Sequence, residues 1–170
     1  MKVLNVKASF EVRENHMLEE NTGEYLFYCA GFVRILKCGE YTFSLMGFKQ
    51  RYINITGCKS IENIYDAIEL FKEKSGVISI QNVKINSISF KFCMRIDQSK
   101  LLFIKSSQSC IFNIKTFPRF SGICFKHKKL RIAGNFFLQS EKFVCMGAKS
   151  LDEINKYIND LQEIGFILIN

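Results

Sequence analysis

GCKSIENI, residues 57–64, returns as GAKSLDEI, residues 147–154, with only conservative changes between the copies. Working outward from these octapeptides, at an offset of 90, shows that the repeat is longer than eight residues. LNVK (4–7) matches QNVK (81–84) at a local offset of 77, and YCAGFVRI (28–35) matches FSGICFKH (120–127). Each half then closes on a helical stretch, SIENIYDAIELFKEK and SLDEINKYINDLQEIG. Ile61, Ile64, Ile68 and Phe71 fall on one face at a 3.6-residue period, as do Leu151, Ile154, Ile158 and Leu161. Each helix opens with Ser followed by acidic residues in its first turn.

The order of parts is therefore the same twice: a leading strand, a variable segment, further apolar strands and a closing helix. In the first half those strands are YCAGFVRIL, EYTFSLMG and RYINITG. The reading divides the chain into repeats 1–77 and 78–170 that form one continuous domain. Each helix has a single apolar stripe to bury, so both lie against one face of a shared sheet and leave the other face open.

A chain of 170 residues, 48% hydrophobic and 24% charged with one Pro, has the composition of a single globular domain without a disordered linker. No apolar run reaches the roughly 20 residues of a membrane span, and MKVLNVKASFEV alternates as a strand does, unlike a signal peptide. The expectation is an intracellular protein with no membrane association. The seven Cys are odd in number and never spaced C-x-x-C, which indicates neither a disulfide framework nor a zinc site and leaves buried, reduced thiols.

The open face carries the functional question. Residues i and i+2 of a strand share a face, so Asn5 sits with Lys7 and Asn82 with Lys84. Asn both donates and accepts hydrogen bonds and Lys supplies positive charge, a pairing suited to a groove floor flanked by phosphates. A solvated strand face is the plainer explanation of either pair alone; their symmetric recurrence favours function. Phe numbers 17 with no Trp, more than the core clearly needs, and Phe48, Phe117, Phe120, Phe136 and Phe137 stand near expected turns.

These residues resemble a known family. The second half, from IQNVKINSISFKFCMRI through FSGICFKHKKLRIAGNFFLQSEKFVCMGAKS to the last helix, is similar to the second repeat of the TATA-box-binding protein core. Phe120 to Ile132 corresponds without a gap, and Phe120 and Phe137 keep the separation of the family's wedge phenylalanines. The first half resembles the first repeat through Asn5, CAGFVRI and TGCKS.

The resemblance implies an α+β saddle: two pseudo-symmetric repeats in one curved antiparallel sheet of about ten strands, helices on the convex face, and no N-terminal extension. It implies a general transcription initiation factor, not an enzyme, that binds the minor groove of A/T-rich double-stranded DNA and bends it by Phe wedges. Partners would be a transcription factor IIB-like factor and the RNA polymerase machinery, in a nucleus or at a viral transcription site, with self-association through the concave face. No cofactor or metal is implied. Carried over by position, Asn5, Asn82, Thr56 and Val144 contact the groove floor, and Arg34, Lys126 and Arg131 contact phosphates. Phe120 and Phe137 form one wedge.

The departures are specific. Lys7 and Lys84 replace groove-contacting valines, and Met146 replaces a threonine. Tyr28 takes the first repeat's leading Phe position, with Met46 or Phe48 as its partner, and Phe117 with Pro118 is an alternative match for the family's Phe-Pro pair. The Lys-, Ile-, Asn- and Phe-rich composition suggests a compact or AT-rich genome, such as that of a large DNA virus or a reduced eukaryote.

Charge is one-sided. Residues 1–77 hold ten basic and ten acidic side chains and residues 78–170 fourteen and six, so the whole net charge of +8 falls in the second half. Phosphate attraction should follow it, although KHKKLR (126–131) also reads as a solvated hairpin. The two His, His16 and His127, lack metal-ligand spacing, and nothing assembles an acid, a base and a nucleophile. A protein-interaction module with weak or lost DNA binding is the alternative, and a lipid-binding sheet a more distant one.

Overall fold

The computed structural model describes residues 1–12, 26–28, 31–38, 41–48, 52–75, 79–106, 110–116 and 121–169. They form two compact units, Asn5–Asn86 and a second made of Met1–Leu4 with Ser87–Asn170. The division does not fall at residue 77. Strand β6 runs unbroken from Ile80 to Arg95, and its residues up to Asn86 belong with the first unit.

The first unit contains β1 (Lys2–Val12) from Asn5 onward, β2 (Leu26–Tyr28), β3 (Gly31–Cys38), β4 (Tyr41–Phe48), β5 (Tyr52–Cys58) and helix α1 (Glu62–Ser75). Its strands lie in the order β2-β3-β4-β5-β1, followed by the start of β6, with antiparallel registers from β2 through β1. Alternation along β1 buries Val6, Ala8, Phe10 and Val12 and turns Asn5, Lys7, Ser9 and Glu11 to the other side. Helix α1 covers the apolar side with Ile64, Ala67, Ile68 and Phe71, and the Phe71 ring sits 5.6 Å from that of Phe10.

The second unit holds the rest of β6, α2 (Gln98–Ser106), β7 (Phe112–Thr116), β8 (Gly122–His127), β9 (Ala133–Phe137), β10 (Lys142–Ala148), α3 (Leu151–Glu163) and β11 (Ile167–Ile169). The order is β6-β10-β9-β8-β7 with β11 on β6, again antiparallel. Ile154, Tyr157, Ile158 and Leu161 are the buried side of α3. Leu151, expected on that stripe, is exposed because it opens the helix beyond the sheet contact. Tyr157 takes the central place, its ring against Phe90 and Phe112 and its hydroxyl donating to the Phe125 carbonyl at 2.8 Å. The surplus of phenylalanine is used here: Phe90, Phe92, Phe112, Phe125, Phe136, Phe143 and Phe166 are all buried. Helix α2 and strand β11 had no expected counterpart, since QSKLLFIKS carries no clear helical stripe.

The duplicated octapeptide is a strand-to-helix turn. Gly57 and Gly147 have φ of 101° and 107°, the left-handed region open to glycine. A Cβ on Gly147 would meet the Arg131 carbonyl oxygen at 2.0 Å. Cys58 and Ala148 then enter the core, and Ser60 and Ser150 cap the helices by accepting from the amides of Asn63 and Glu153, each at 3.2 Å. The third residue after each Ser returns a bond: Asn63 to the Lys59 amide and Glu153 to the Lys149 amide.

Candidate nucleic-acid interface

Helices α1 and α3 each lie against the buried side of their unit's strands, and the opposite side is lined by the non-buried members of each strand. Residues directly opposite on neighbouring strands share a face, so the registers define cross-strand rows. In the second unit one row runs Lys91, Val144, Asn135, Cys124, Lys115 across β6, β10, β9, β8 and β7. The next runs Met146, Ala133, Lys126, Asn113. On the other side of the first lies Cys93, Lys142, Phe137, Gly122. Four lysines therefore frame a floor of Val144, Asn135, Cys124, Ala133 and Met146. Val144 and Cys124 stand two strands apart, roughly 10 Å at the usual strand spacing.

The equivalent face of the first unit is built on the same plan with different charge. Its middle row is Ser9, Asn54, Met46, Val33, and its outer row is Glu11, Tyr52, Phe48, Gly31, Tyr28. Among the described side chains of these two rows none is basic and Glu11 is acidic. Lys7 is exposed on the same side of β1, outside these two rows. Among the described side chains of these rows, the basic groups therefore fall on the second unit.

Register changes the match made from sequence between the two leading strands. Val6 pairs with Cys58 and, after a bulge, Ala8 pairs with Ile55; Ile88 pairs with Ala148 and, after a bulge, Phe90 pairs with Cys145. The residue equivalent to Asn5 is therefore Ser87, and that equivalent to Lys7 is Ser89. Asn5 Oδ1 accepts the Gly57 amide at 2.8 Å, and Ser87 Oγ accepts the Gly147 amide at 3.2 Å. Asn82 and Lys84 sit earlier on β6, both exposed. Asn82 has φ of 55° and donates to Glu11 Oε2 at 2.9 Å. The local identity of LNVK and QNVK is not a structural equivalence, because the leading strand of the second half is longer at its start.

The other candidates are placed as follows. Thr56 accepts from Asn5 Nδ2 at 3.2 Å, and its counterpart Met146 is exposed. Phe48 ends β4 opposite Gly31, as Phe137 ends β9 opposite Gly122, so the register makes Phe48 and not Met46 the counterpart of Phe137. Met46 is instead the counterpart of Asn135. Tyr28 and Arg34 have described backbone positions, opposite Gly31 and Leu45, but their side chains and that of Phe48 lie outside the described set. Phe117 and Phe120 lie outside the described residues altogether. Sequence reasoning missed Lys91, Lys115, Lys142 and Asn135; their signal was the i, i+2 alternation of β6, β7, β9 and β10, which acquires meaning once registers are known.

KHKKLR is a built turn. His127 is buried, and its Nδ1 accepts from the amides of Lys129 and Leu130 at 3.0 and 2.8 Å. That leaves Nε2 as the protonated nitrogen, donating to Asp160 Oδ2 of α3 at 2.7 Å. Burial alone would raise the Asp160 carboxyl; hydrogen bonds from His127 and Lys156 outweigh it and hold the group below its ordinary range. Lys126, Lys128, Lys129 and Arg131 remain exposed around this anchored turn. No group of His, Cys, Asp and Glu suited to a metal occurs among the described residues.

Paired halves, each setting a helix against one side of antiparallel strands and leaving the other side open, define the α+β fold class of the TATA-box-binding protein core. Among solved structures the chain is similar to the TATA-box-binding protein (TBP) of Methanococcus jannaschii, with a TM-score of 0.74 at 19% identity over 96% of each chain. At that identity the likeness shows the fold. No protein-family model matches the chain, and no curated protein matches it in sequence.

Proposed function

We propose that this chain is a transcription initiation factor that binds A·T-rich duplex DNA through the open side of its strands. The observation that carries the reading is the row Lys91, Val144, Asn135, Cys124, Lys115: a small, uncharged floor with an ammonium at either end. A·T pairs present only acceptors in the minor groove, which an amide and apolar contacts suffice to read, while flanking lysines meet phosphates. The fold shared with an archaeal TBP supports the same reading. Phe137 and its counterpart Phe48 are the wedges we assign, unstacking a base step and bending the duplex. A transcription factor IIB-like protein and RNA polymerase are the partners this role requires. The test is binding and end-to-end fluorescence transfer on an A·T-rich duplex against a G·C-rich one. Phe137→Ala should keep much of the affinity and lose the bend; an unbent A·T complex with wild type would refute the wedge.

A second reading, a protein-interaction module, is favoured by a separate observation. Leu102 and Phe103 on α2 and Ile167 on β11 are 66%, 71% and 67% exposed. Salt-insensitive capture of a protein with no duplex binding would support it.

A further inference from the structure

We propose that Glu11 is a base-reading residue, recognising the N2 amine of a guanine in the minor groove, so that the site for the first unit includes a G·C pair. The proposal rests on the DNA-binding reading above. Glu11 belongs to the open side of β1, between buried Phe10 and Val12 and directly opposite exposed Tyr52. A carboxylate there is costly against DNA: it repels phosphates, and over an A·T pair it meets only acceptors, N3 and O2. A desolvated carboxylate needs a donor at each of its two oxygens. The one donor on the minor-groove floor is the guanine N2 amine.

The structure holds the carboxylate in place for that contact. Asn82 Nδ2 donates to Oε2 at 2.9 Å, from a backbone conformation with φ of 55° that few residues other than glycine adopt and that Asn tolerates. Oε1 keeps lone pairs for a second donor. The row also fixes where the guanine lies. Glu11, Tyr52 and Phe48 are successive members on β1, β5 and β4. Glu11 thus stands two strands, roughly 10 Å, from the wedge position, a distance of about three base pairs.

The second unit lacks the device. The residues equivalent to Glu11 and Tyr52 are Cys93 and Lys142, and neither is an acceptor of comparable strength. The preference for a G·C pair should therefore belong to the first unit and not to the lysine-framed face of the second.

The experiment walks a single G·C pair through an A·T-rich fluorescent duplex and titrates the full chain, with inosine replacing guanine in a parallel series. Inosine removes the N2 amine and leaves the rest of the base unchanged. At one position guanine should tighten wild-type binding about tenfold, the order expected of a base contact, and inosine should abolish the gain. Glu11→Val should lose the gain and unfold at the same temperature as wild type; Glu11→Gln, which keeps an acceptor oxygen, should retain part of it. A·T duplex binding with guanine equally harmful at every position, in wild type and Glu11→Val alike, overturns the Glu11 assignment and leaves DNA binding standing. Absence of any duplex binding overturns both.

Discussion

Asn5 and Ser87 occupy equivalent places in the two units and hold the same kind of bond: each side-chain oxygen accepts the amide of the positive-φ glycine that turns a strand into a helix. The glycine amide is drawn away from the strand ladder at the bulge and needs a side-chain acceptor. The repeated octapeptide and the leading strand are thus parts of one local device, present twice.

Asn5 makes two bonds, accepting from the Gly57 amide and donating from Nδ2 to the Thr56 hydroxyl, and Ser87 makes one, accepting from the Gly147 amide. Asn5→Ala should cost about 1–3 kcal/mol and Ser87→Ala about 1 kcal/mol, read from urea denaturation midpoints. Equal and negligible costs would show that water replaces both.

Much of this plan was legible in the chain, and the limits are physical. The helices announce themselves through Ile64, Ile68 and Phe71 and through Ile154, Ile158 and Leu161, because a 3.6-residue stripe and a capping Ser are local signals. The register of β6 is not local. Asn82 followed by Val83-Lys84 copies the letters of Asn5-Val6-Lys7, yet the strand that pairs with β10 is set by which residues bury, Ile88, Phe90 and Phe92. A shift along a strand leaves its letters unchanged and alters every partner. The lysine rows were hidden for the same reason, since only pairing brings Lys91, Lys115 and Lys142 to one face.

Gly134 lies beneath α3, and a Cβ there would meet Cys145 Sγ at 2.5 Å and the Tyr157 hydroxyl at 2.6 Å. Gly134→Ala should destabilise by about 1–3 kcal/mol, the cost of overpacking. Adding Tyr157→Phe, which removes that hydroxyl, should make the Ala substitution less damaging than in the wild-type background. A double-mutant cycle of thermal unfolding checks the coupling.

Asp160 has a folded pKa below its unfolded one, so its contribution is present above the unfolded value near 4 and is lost as pH falls through the folded value. Asp160→Asn should flatten this part of the acid limb of stability and lower stability at neutral pH. An unchanged acid limb would show that the contact with His127 is not maintained.

Cys58 is buried, and desolvation, reinforced by Asp66, pushes its thiol up to about 11. Burial pushes Cys145 up as well, whereas Cys110 is exposed. Alkylation at pH 8 followed by peptide mass spectrometry should label Cys110 early and Cys58 and Cys145 only on unfolding.

The lysine rows supply the most direct measurement: the salt dependence of binding to an A·T-rich duplex by wild type and by a Lys91→Ala, Lys115→Ala, Lys126→Ala, Lys142→Ala variant. Each phosphate contact removed should reduce the slope of log affinity against log salt by about 0.9. Binding through the open side of the second unit gives a lower slope and weaker affinity in the variant, whose thermal stability stays near wild type. An unchanged slope in the variant would place the DNA elsewhere and contradict the proposed interface.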